Sequence, residues 1–121
     1  DNVIFLGKVR DTTHVLEIAD VFLLPSETES FGLAALEAMA VGVPVISSNT
    51  GGIPEVNIHG FSGYLSNVGD VEDMAKNMIQ LLHPDNLPTF KINAKERSKE
   101  FSLEKILPLY EEIYRNLVLN K

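Results

Sequence analysis

The sequence predicts an α/β fold in which helices flank a parallel β-sheet. Short apolar runs alternate along the chain with longer stretches in which apolar residues recur at helical spacing. Glycine, proline and polar residues separate these segments, as is usual where a buried strand turns into a helix. Alternation of this kind is typical of parallel sheets with crossover helices, and such sheets bind ligands at the carboxyl ends of their strands.

Composition favours one globular domain and excludes several functional classes. The chain has 121 residues, 45% hydrophobic and 22% charged, and carries a net charge of −7 with its basic residues scattered, so no nucleic-acid partner is expected. It has no cysteine, which excludes a disulfide framework. We recognise no signal peptide and no membrane span, and therefore expect a cytoplasmic protein. The absence of a starting methionine suggests a fragment of a longer protein.

Four short apolar runs are predicted to form the strands. They are rich in β-branched and aromatic residues and are bounded by turn residues, which suits strands of a parallel sheet. The first run is expected to be buried on both faces. The four runs are residues 3–6, 21–24, 45–47 and 63–66.

Capping residues and helical spacing predict the helices. Residues 51–55 are predicted to form a loop or a single helical turn. The predicted helices are a short one after Thr12 or Thr13, one over about residues 31–41 that stops at Gly42 and Pro44, one from Asp70 to His83, one over about residues 88–100 and one over residues 102–119. In the Asp70 helix the predicted apolar face consists of Met74, Ala75, Met78, Ile79 and Leu82.

The helix that begins near Ser30 is the candidate binding element, because its first turn contains no acidic residue. Ser30 is the predicted N-cap, which places Gly32 at the second helical position, where alanine would favour the helix by up to about 1 kcal/mol. A glycine there allows close approach to bare N–H groups, and an anion such as a diphosphate would suit them. Tight packing of Gly32 against a neighbouring backbone is the alternative explanation. By contrast, Asp70, Glu72 and Asp73 occupy the positive end of the later helix, which should repel phosphate.

Two glutamates accompany this helix start. Glu37 is the only charged residue between Phe31 and Thr50, in a helix predicted to be largely buried. A buried carboxylate needs hydrogen-bond donors or a cation, which ribose hydroxyls or a structural ion pair would provide. Glu29 could accept hydrogen bonds from sugar hydroxyls, although taken alone it is more simply a solvated loop acid.

The whole constellation resembles the retaining glycosyltransferases of family 4, which have the GT-B fold. The resemblance rests on Glu-Ser-Phe-Gly-Leu-Ala-Ala-Leu-Glu-Ala-Met-Ala, followed by Gly-Val-Pro-Val-Ile and Gly-Gly-Ile-Pro-Glu. It implies that residues 1–121 form one Rossmann-like domain that binds a nucleotide-sugar donor. It also implies an arginine and a lysine ahead of this region that neutralise the diphosphate, and an amino-terminal domain that carries the acceptor site. Without these parts, residues 1–121 alone should be inactive.

The resemblance also implies individual roles. Glu29 would contact the donor sugar and Glu37 the ribose, while Gly32 would belong to the turn that meets the sugar. Glu29 and Gly32 would therefore be the two catalytic residues, the ones that lie nearest the reacting centre. The residues it assigns to donor binding are Arg10, Glu29, Ser30, Phe31, Gly32, Leu33 and Glu37. Arg10 belongs to a loop similar to the one whose main chain reads the base, and a solvated loop charge is the alternative for it. No metal or cofactor is implied. His14, His59 and His83 are predicted to be structural, on a helix surface, in a loop and at a helix end.

Two segments, Leu-Leu-Pro-Ser-Glu and Val-Ile-Ser-Ser-Asn, resemble those of a glycosyltransferase subfamily that acts in bacillithiol biosynthesis. That likeness implies transfer from UDP-N-acetylglucosamine to L-malate. A GT-B nucleotide-sugar epimerase is an alternative activity. A non-catalytic interaction module of response-regulator type is an alternative of another class, but it needs clustered acids at early strand ends, where Leu6-Gly7 and Leu24-Pro25 supply none.

Overall fold

A parallel sheet lies at the centre of the protein in the computed structural model, which describes residues 3–6, 13–27, 32–101, 111 and 115. Its strands are β1 (Phe22–Leu24), β2 (Val45–Ser48) and β3 (Gly63–Ser66), in the spatial order β1-β2-β3. Both strand pairs are parallel, with Val45 of β2 opposite Phe22 and Gly63. The predicted fold class is therefore confirmed, and the last three predicted strands are present.

Helices follow the strands as the sequence predicts, with shifts of a few residues at their ends. Their bounds are α1 Thr13–Glu17, α2 Leu33–Ala40, α3 Ile53–Val56, α4 Val71–Leu82 and α5 Leu87–Ser98. The predicted helix over residues 102–119 lies outside the described residues except for Glu111 and Arg115, which are helical and exposed. No helix in the described part of the chain is both long enough and apolar enough to cross a bilayer.

The core has two parts because helices cover both faces of the central strand. All residues of β2 are buried, as expected for the middle strand of a parallel sheet. Helices α2 and α5 contribute to the cluster on one face, and α4 and α5 contribute to the other. The first cluster contains Ala35, Leu36, Ala38, Met39, Val43, Val45, Val56 and Ala94. The second contains Ile46, Met74, Leu81 and Phe90.

Residues 3–6 do not form the buried strand that their composition predicts. They pair with no strand of the described sheet, and their exposed fractions lie between 59% for Leu6 and 94% for Phe5. An apolar run becomes a strand only when a neighbouring strand accepts its backbone hydrogen bonds and helices cover its faces. Neither is present beside this run in the described residues, so the prediction is wrong here.

The apolar face predicted for α4 is only partly correct. Met74 is buried and Met78 half-buried, but Ala75, Ile79 and Leu82 are exposed, Ile79 to 75%. Contact with the sheet is completed instead by Leu81 and by Asn77, whose amide Nδ2 donates to Ser66 Oγ at 3.1 Å. The sequence of α4 is therefore compatible with two inward faces, one with Ile79 and Leu82 and one with Asn77 and Leu81. The position of β3 decides that the second one faces the sheet.

A buried polar group joins β2 to β3. Asn57, which follows α3, is fully buried, and its amide Nδ2 donates to the carbonyl oxygens of Val45 at 3.0 Å and Tyr64 at 3.3 Å. Ser62 Oγ donates to Asn57 Oδ1 at 2.8 Å. Burying these polar groups without hydrogen-bond partners would be costly. The bonds therefore hold β2 and β3 together beneath the loops that leave the carboxyl end of the sheet.

Candidate functional site

The candidate site is the edge of the sheet at which all three described strands end. Because the strands are parallel, the segments after Leu24, Ser48 and Ser66 leave from the same edge. They lead to α2, α3 and α4 respectively. This edge is the predicted place for a ligand.

Hydrogen bonds connect the three segments into one surface. Ser48 Oγ donates to the carbonyl oxygen of Ser26, and Thr50 Oγ1 donates to that of Glu27 at 3.2 Å. These two bonds hold the β1–α2 segment against the β2–α3 segment. On the other side, Asn49 Nδ2 donates to Asn67 Oδ1 at 2.9 Å.

The start of α2 differs in detail from the prediction. Its N-cap is Gly32, with φ 91° and ψ 34°, and the helix begins at Leu33 rather than near Ser30. The N–H of Leu36 donates to the Gly32 carbonyl at 3.0 Å, as expected for the first bond of the helix. Residue preferences favoured Ser30 as the cap, but the left-handed turn that opens the helix lies two residues later. Such a backbone is routine only for glycine.

The backbone conformation, and not a lack of space, explains the glycine at position 32. Gly32 is buried against α3, where a Cβ atom would lie 3.5 Å from Ile53 Cα and 3.6 Å from Ile53 Cγ1. These are ordinary van der Waals distances, so tight packing alone does not require glycine. The positive φ does, which also removes the expectation that alanine would favour the helix there.

The first turn of α2 carries no group that neutralises its positive end. It has no acidic residue, and Gly32 has no side chain to accept a hydrogen bond from the following amides. The Leu33 side chain packs against the core, so Leu33 can offer a ligand only its N–H group. Ala34 is exposed. An anion at this helix end would meet N–H groups and a favourable dipole.

Glu37 is exposed, which corrects the prediction of a buried carboxylate. It lies on the solvent face of α2 with Ala34 and Ala40, three residues before and after it. Because two of the three residues on this face are alanines, the sequence looked apolar all round. Among the described residues, no cation forms an ion pair with Glu37. Its carboxylate is therefore open to a ligand one turn beyond the helix start.

The start of α4 has the arrangement that its acids predict. Asp70 is the N-cap, and its Oδ1 atom accepts a hydrogen bond from the N–H of Asp73 at 3.0 Å. Glu72 and Asp73 add two carboxylates to the first turn. This helix end is neutralised by its own sequence.

The helix α3 is held by a residue that sequence reasoning missed. The Arg97 guanidinium, on α5, donates to the carbonyl oxygens of Glu55 and Val56. Nothing local to Arg97 indicated this role, because its partners lie 41 and 42 residues away. Ser48 and Thr50 were missed too, although the polar residues that end the apolar run of β2 could have indicated them.

Four predicted site residues lie outside the described residues: Arg10, Glu29, Ser30 and Phe31. Their assigned roles remain predictions. Among the residues that the structure describes, no three or more acidic or histidine side chains are grouped to hold a metal ion.

The histidines occupy the positions predicted for them. His59 lies in a loop, where its Nδ1 accepts a hydrogen bond from the N–H of Leu65 at 3.0 Å. His83 follows the end of α4, and His14 is exposed on α1.

Comparison with known proteins gives consistent matches. Residues 1–98 match the family described as Glycosyl transferases group 1. N-acetyl-alpha-D-glucosaminyl L-malate synthase of Bacillus anthracis is 47% identical over 123 residues, in a match that covers 98% of this chain and 32% of that protein. D-inositol 3-phosphate glycosyltransferase of Saccharomonospora viridis is 36% identical, over 88% of this chain and 25% of that protein. The chain therefore spans less than a third of the length of these relatives.

Solved structures agree with the fold. The structure of HepE from Anabaena, in complex with UDP and glucose, superposes with a TM-score of 0.81 at 27% identity, over 96% of this chain and 32% of that one. Sucrose-phosphate synthase from Thermosynechococcus elongatus superposes with a TM-score of 0.71 at 34% identity, over 88% of this chain and 27% of that one.

Proposed function

We propose that this chain, which belongs to the glycosyl transferases group 1 family, binds the nucleotide-sugar donor of a retaining glycosyltransferase. The observation that carries the proposal is the start of α2 at the carboxyl edge of the sheet, which has no acidic residue and no side-chain cap hydrogen bond. A diphosphate is the anion that a nucleotide sugar would bring to such a helix end. The complex of HepE with UDP and glucose supports the same class of ligand.

In the proposed complex, the first-turn N–H groups of α2 face the diphosphate. Glu37, exposed one turn further along, accepts hydrogen bonds from the ribose hydroxyls. Glu29 is proposed to contact the donor sugar, with Ser30 and Phe31 in the turn beside it. Arg10 is proposed to lie near the base.

The transfer breaks the bond between the anomeric carbon and the diphosphate oxygen and forms one to an acceptor oxygen. Negative charge grows on the departing diphosphate while the sugar gains oxocarbenium character. Fixed N–H dipoles beside that diphosphate stabilise the transition state more than the ground state. We therefore assign the start of α2 to leaving-group stabilisation, and the proposal requires no metal ion.

The finer proposal is that the donor is UDP-N-acetylglucosamine and the acceptor is L-malate, in the cytoplasm. It is supported by the 47% identity to a protein named for that product. We further propose that catalysis needs a preceding domain of the same protein, since the chain spans only 32% of that relative.

Titration calorimetry of the intact protein with UDP, GDP and ADP tests the donor proposal. We expect the tightest binding for UDP, and equal or absent binding of all three would contradict it. With UDP-N-acetylglucosamine, release of UDP should depend on L-malate. Formation of an epimeric nucleotide sugar without acceptor would instead identify an epimerase. Turnover by residues 1–121 alone would contradict the two-domain proposal.

A further inference from the structure

Arg97 binds the carboxyl-terminal end of α3 from a distant helix. Its Nε atom donates to the Val56 carbonyl at 3.2 Å, and a terminal nitrogen donates to the Glu55 carbonyl. The other terminal nitrogen pairs with Glu100, and the guanidinium lies 4.9 Å from the centroid of the Phe101 ring. The side chain is only 17% exposed. All of its N–H-bearing nitrogens are therefore engaged by named partners.

The helix α3 needs such a partner, because it cannot hold its shape alone. It is one turn of four residues, Ile53–Val56, and it follows Gly51 and Gly52. A single turn is far below the length at which an isolated helix is stable, and its last carbonyls lack helical partners. A planar guanidinium can satisfy two of these carbonyls at once and adds a positive charge at the negative helix end.

The amino-terminal end of α3 is connected to the candidate site. Ile53, its first residue, is fully buried and lies against Gly32, the N-cap of α2. Thr50, just ahead of it, donates to the carbonyl of Glu27 in the β1–α2 segment. A shift of α3 would therefore move both the cap of α2 and the segment that leads to it.

From this geometry we infer that Arg97 is a positioning residue for donor binding. It acts through α3, which keeps Gly32 and the first turn of α2 in place, and it has no contact with the donor. The inference rests on the proposed function, because it names the site that α3 supports. Arg97 can do this because α5 is itself anchored in the core by Ala94, one turn earlier.

A second cation on α5 provides a matched control. Lys91 Nζ forms an ion pair with Asp20 at 2.9 Å, with both side chains substantially exposed. This pair also joins α5 to a distant part of the chain, and among the described residues it forms no hydrogen bond or ion pair with α3 or with the segments of the candidate site. Lys91→Met therefore removes a long-range contact of α5 without disturbing α3.

The test measures the KM of the intact enzyme for UDP-N-acetylglucosamine and for L-malate, and the Kd of UDP by calorimetry. We expect Arg97→Met to raise the donor KM and the UDP Kd at least fivefold while the acceptor KM stays within twofold. Lys91→Met should leave all three within twofold. Arg97→Lys keeps the positive charge but loses the planar guanidinium that donates to two carbonyl oxygens at once. Its donor KM should therefore still be at least threefold above that of the wild type.

Three results would overturn the inference. One is an unchanged donor KM in the folded fraction of Arg97→Met, whatever its melting temperature, since that indicates a purely structural role. Another is full rescue by Arg97→Lys, which also decides the matter if Arg97→Met fails to fold. The third is an equal increase in Lys91→Met. If the wild-type protein binds no UDP, the proposed function fails instead, so the two failures are distinguishable.

Discussion

The starts of α2 and α4 show how one fold uses the same feature in two ways. Each helix follows a parallel strand at the same edge of the sheet, and each is preceded by a glycine with positive φ, 91° at Gly32 and 82° at Gly69. The helix α4 then has Asp70 as a hydrogen-bonding cap and two more acids in its first turn. The helix α2 has neither.

The difference separates a helix end that its own sequence neutralises from one that its own sequence leaves positive. An aspartate cap typically contributes about 1 kcal/mol, and acids in the first turn add about 0.3 to 1 kcal/mol. The protein has both contributions at α4. At α2 the glycine cap is less favourable than aspartate by only about a few tenths of a kcal/mol, so the main difference is the missing acids of the first turn. The positive end of α2 is consequently the one of the two that can gain from binding an anion.

Replacing Glu37 with glutamine should have the largest effect on nucleotide binding. We expect the Kd of UDP to rise by a factor equivalent to roughly 1.5 to 3 kcal/mol, because the ribose hydroxyls lose a charged acceptor. The melting temperature should hardly change, since Glu37 is exposed and pairs with no described cation. Calorimetry and thermal unfolding of the intact protein measure both. The matched control is Glu72→Gln at the start of α4, which should leave the UDP affinity unaltered. A collapse in stability with normal affinity would show that Glu37 has a structural role.

A comparison of Gly32→Ala with Gly69→Ala should separate the effect of backbone strain on stability from the effect on donor turnover. Either substitution places a side chain in a left-handed conformation and should lower the free energy of unfolding by about 1 to 2 kcal/mol. Nothing lies within 4 Å of a Cβ at Gly69, so that variant reports strain alone. Only Gly32→Ala should also lower kcat/KM, by at least roughly tenfold or about 1.4 kcal/mol, because it displaces the start of α2. Equal kcat/KM in the two variants would remove Gly32 from the donor site.

The smallest effect is expected when an acidic residue is placed in the first turn of α2, as in the first turn of α4. Ala34 is exposed in the first turn, so Ala34→Asp should stabilise the protein by about 0.3 to 1 kcal/mol through the helix dipole. The same carboxylate should weaken UDP binding by on the order of 1 kcal/mol, the repulsion between like charges a few ångströms apart in water. Ala34→Asn is the uncharged control. Unchanged UDP affinity in Ala34→Asp would place the diphosphate elsewhere.

Much of the fold and part of the candidate site were predictable because they depend on local sequence. Apolar runs between turn residues located β1, β2 and β3, and Asp70 marked the start of α4, since a cap bonds to an amide only three residues away. The segment around Gly32 became a candidate for the same reason, because the absence of acids in the first turn of α2 can be read directly from the sequence.

Long-range packing decided the rest. The exposure of residues 3–6 and of Glu37 depends on which elements cover them, and hydropathy alone did not distinguish an alanine-lined outer face from a buried one. The sequence marked Gly32 as unusual, but only the structure shows its left-handed conformation. Arg97 is the clearest case. Its two carbonyl partners are 41 and 42 residues away, and only the packing of α5 brings its side chain to them.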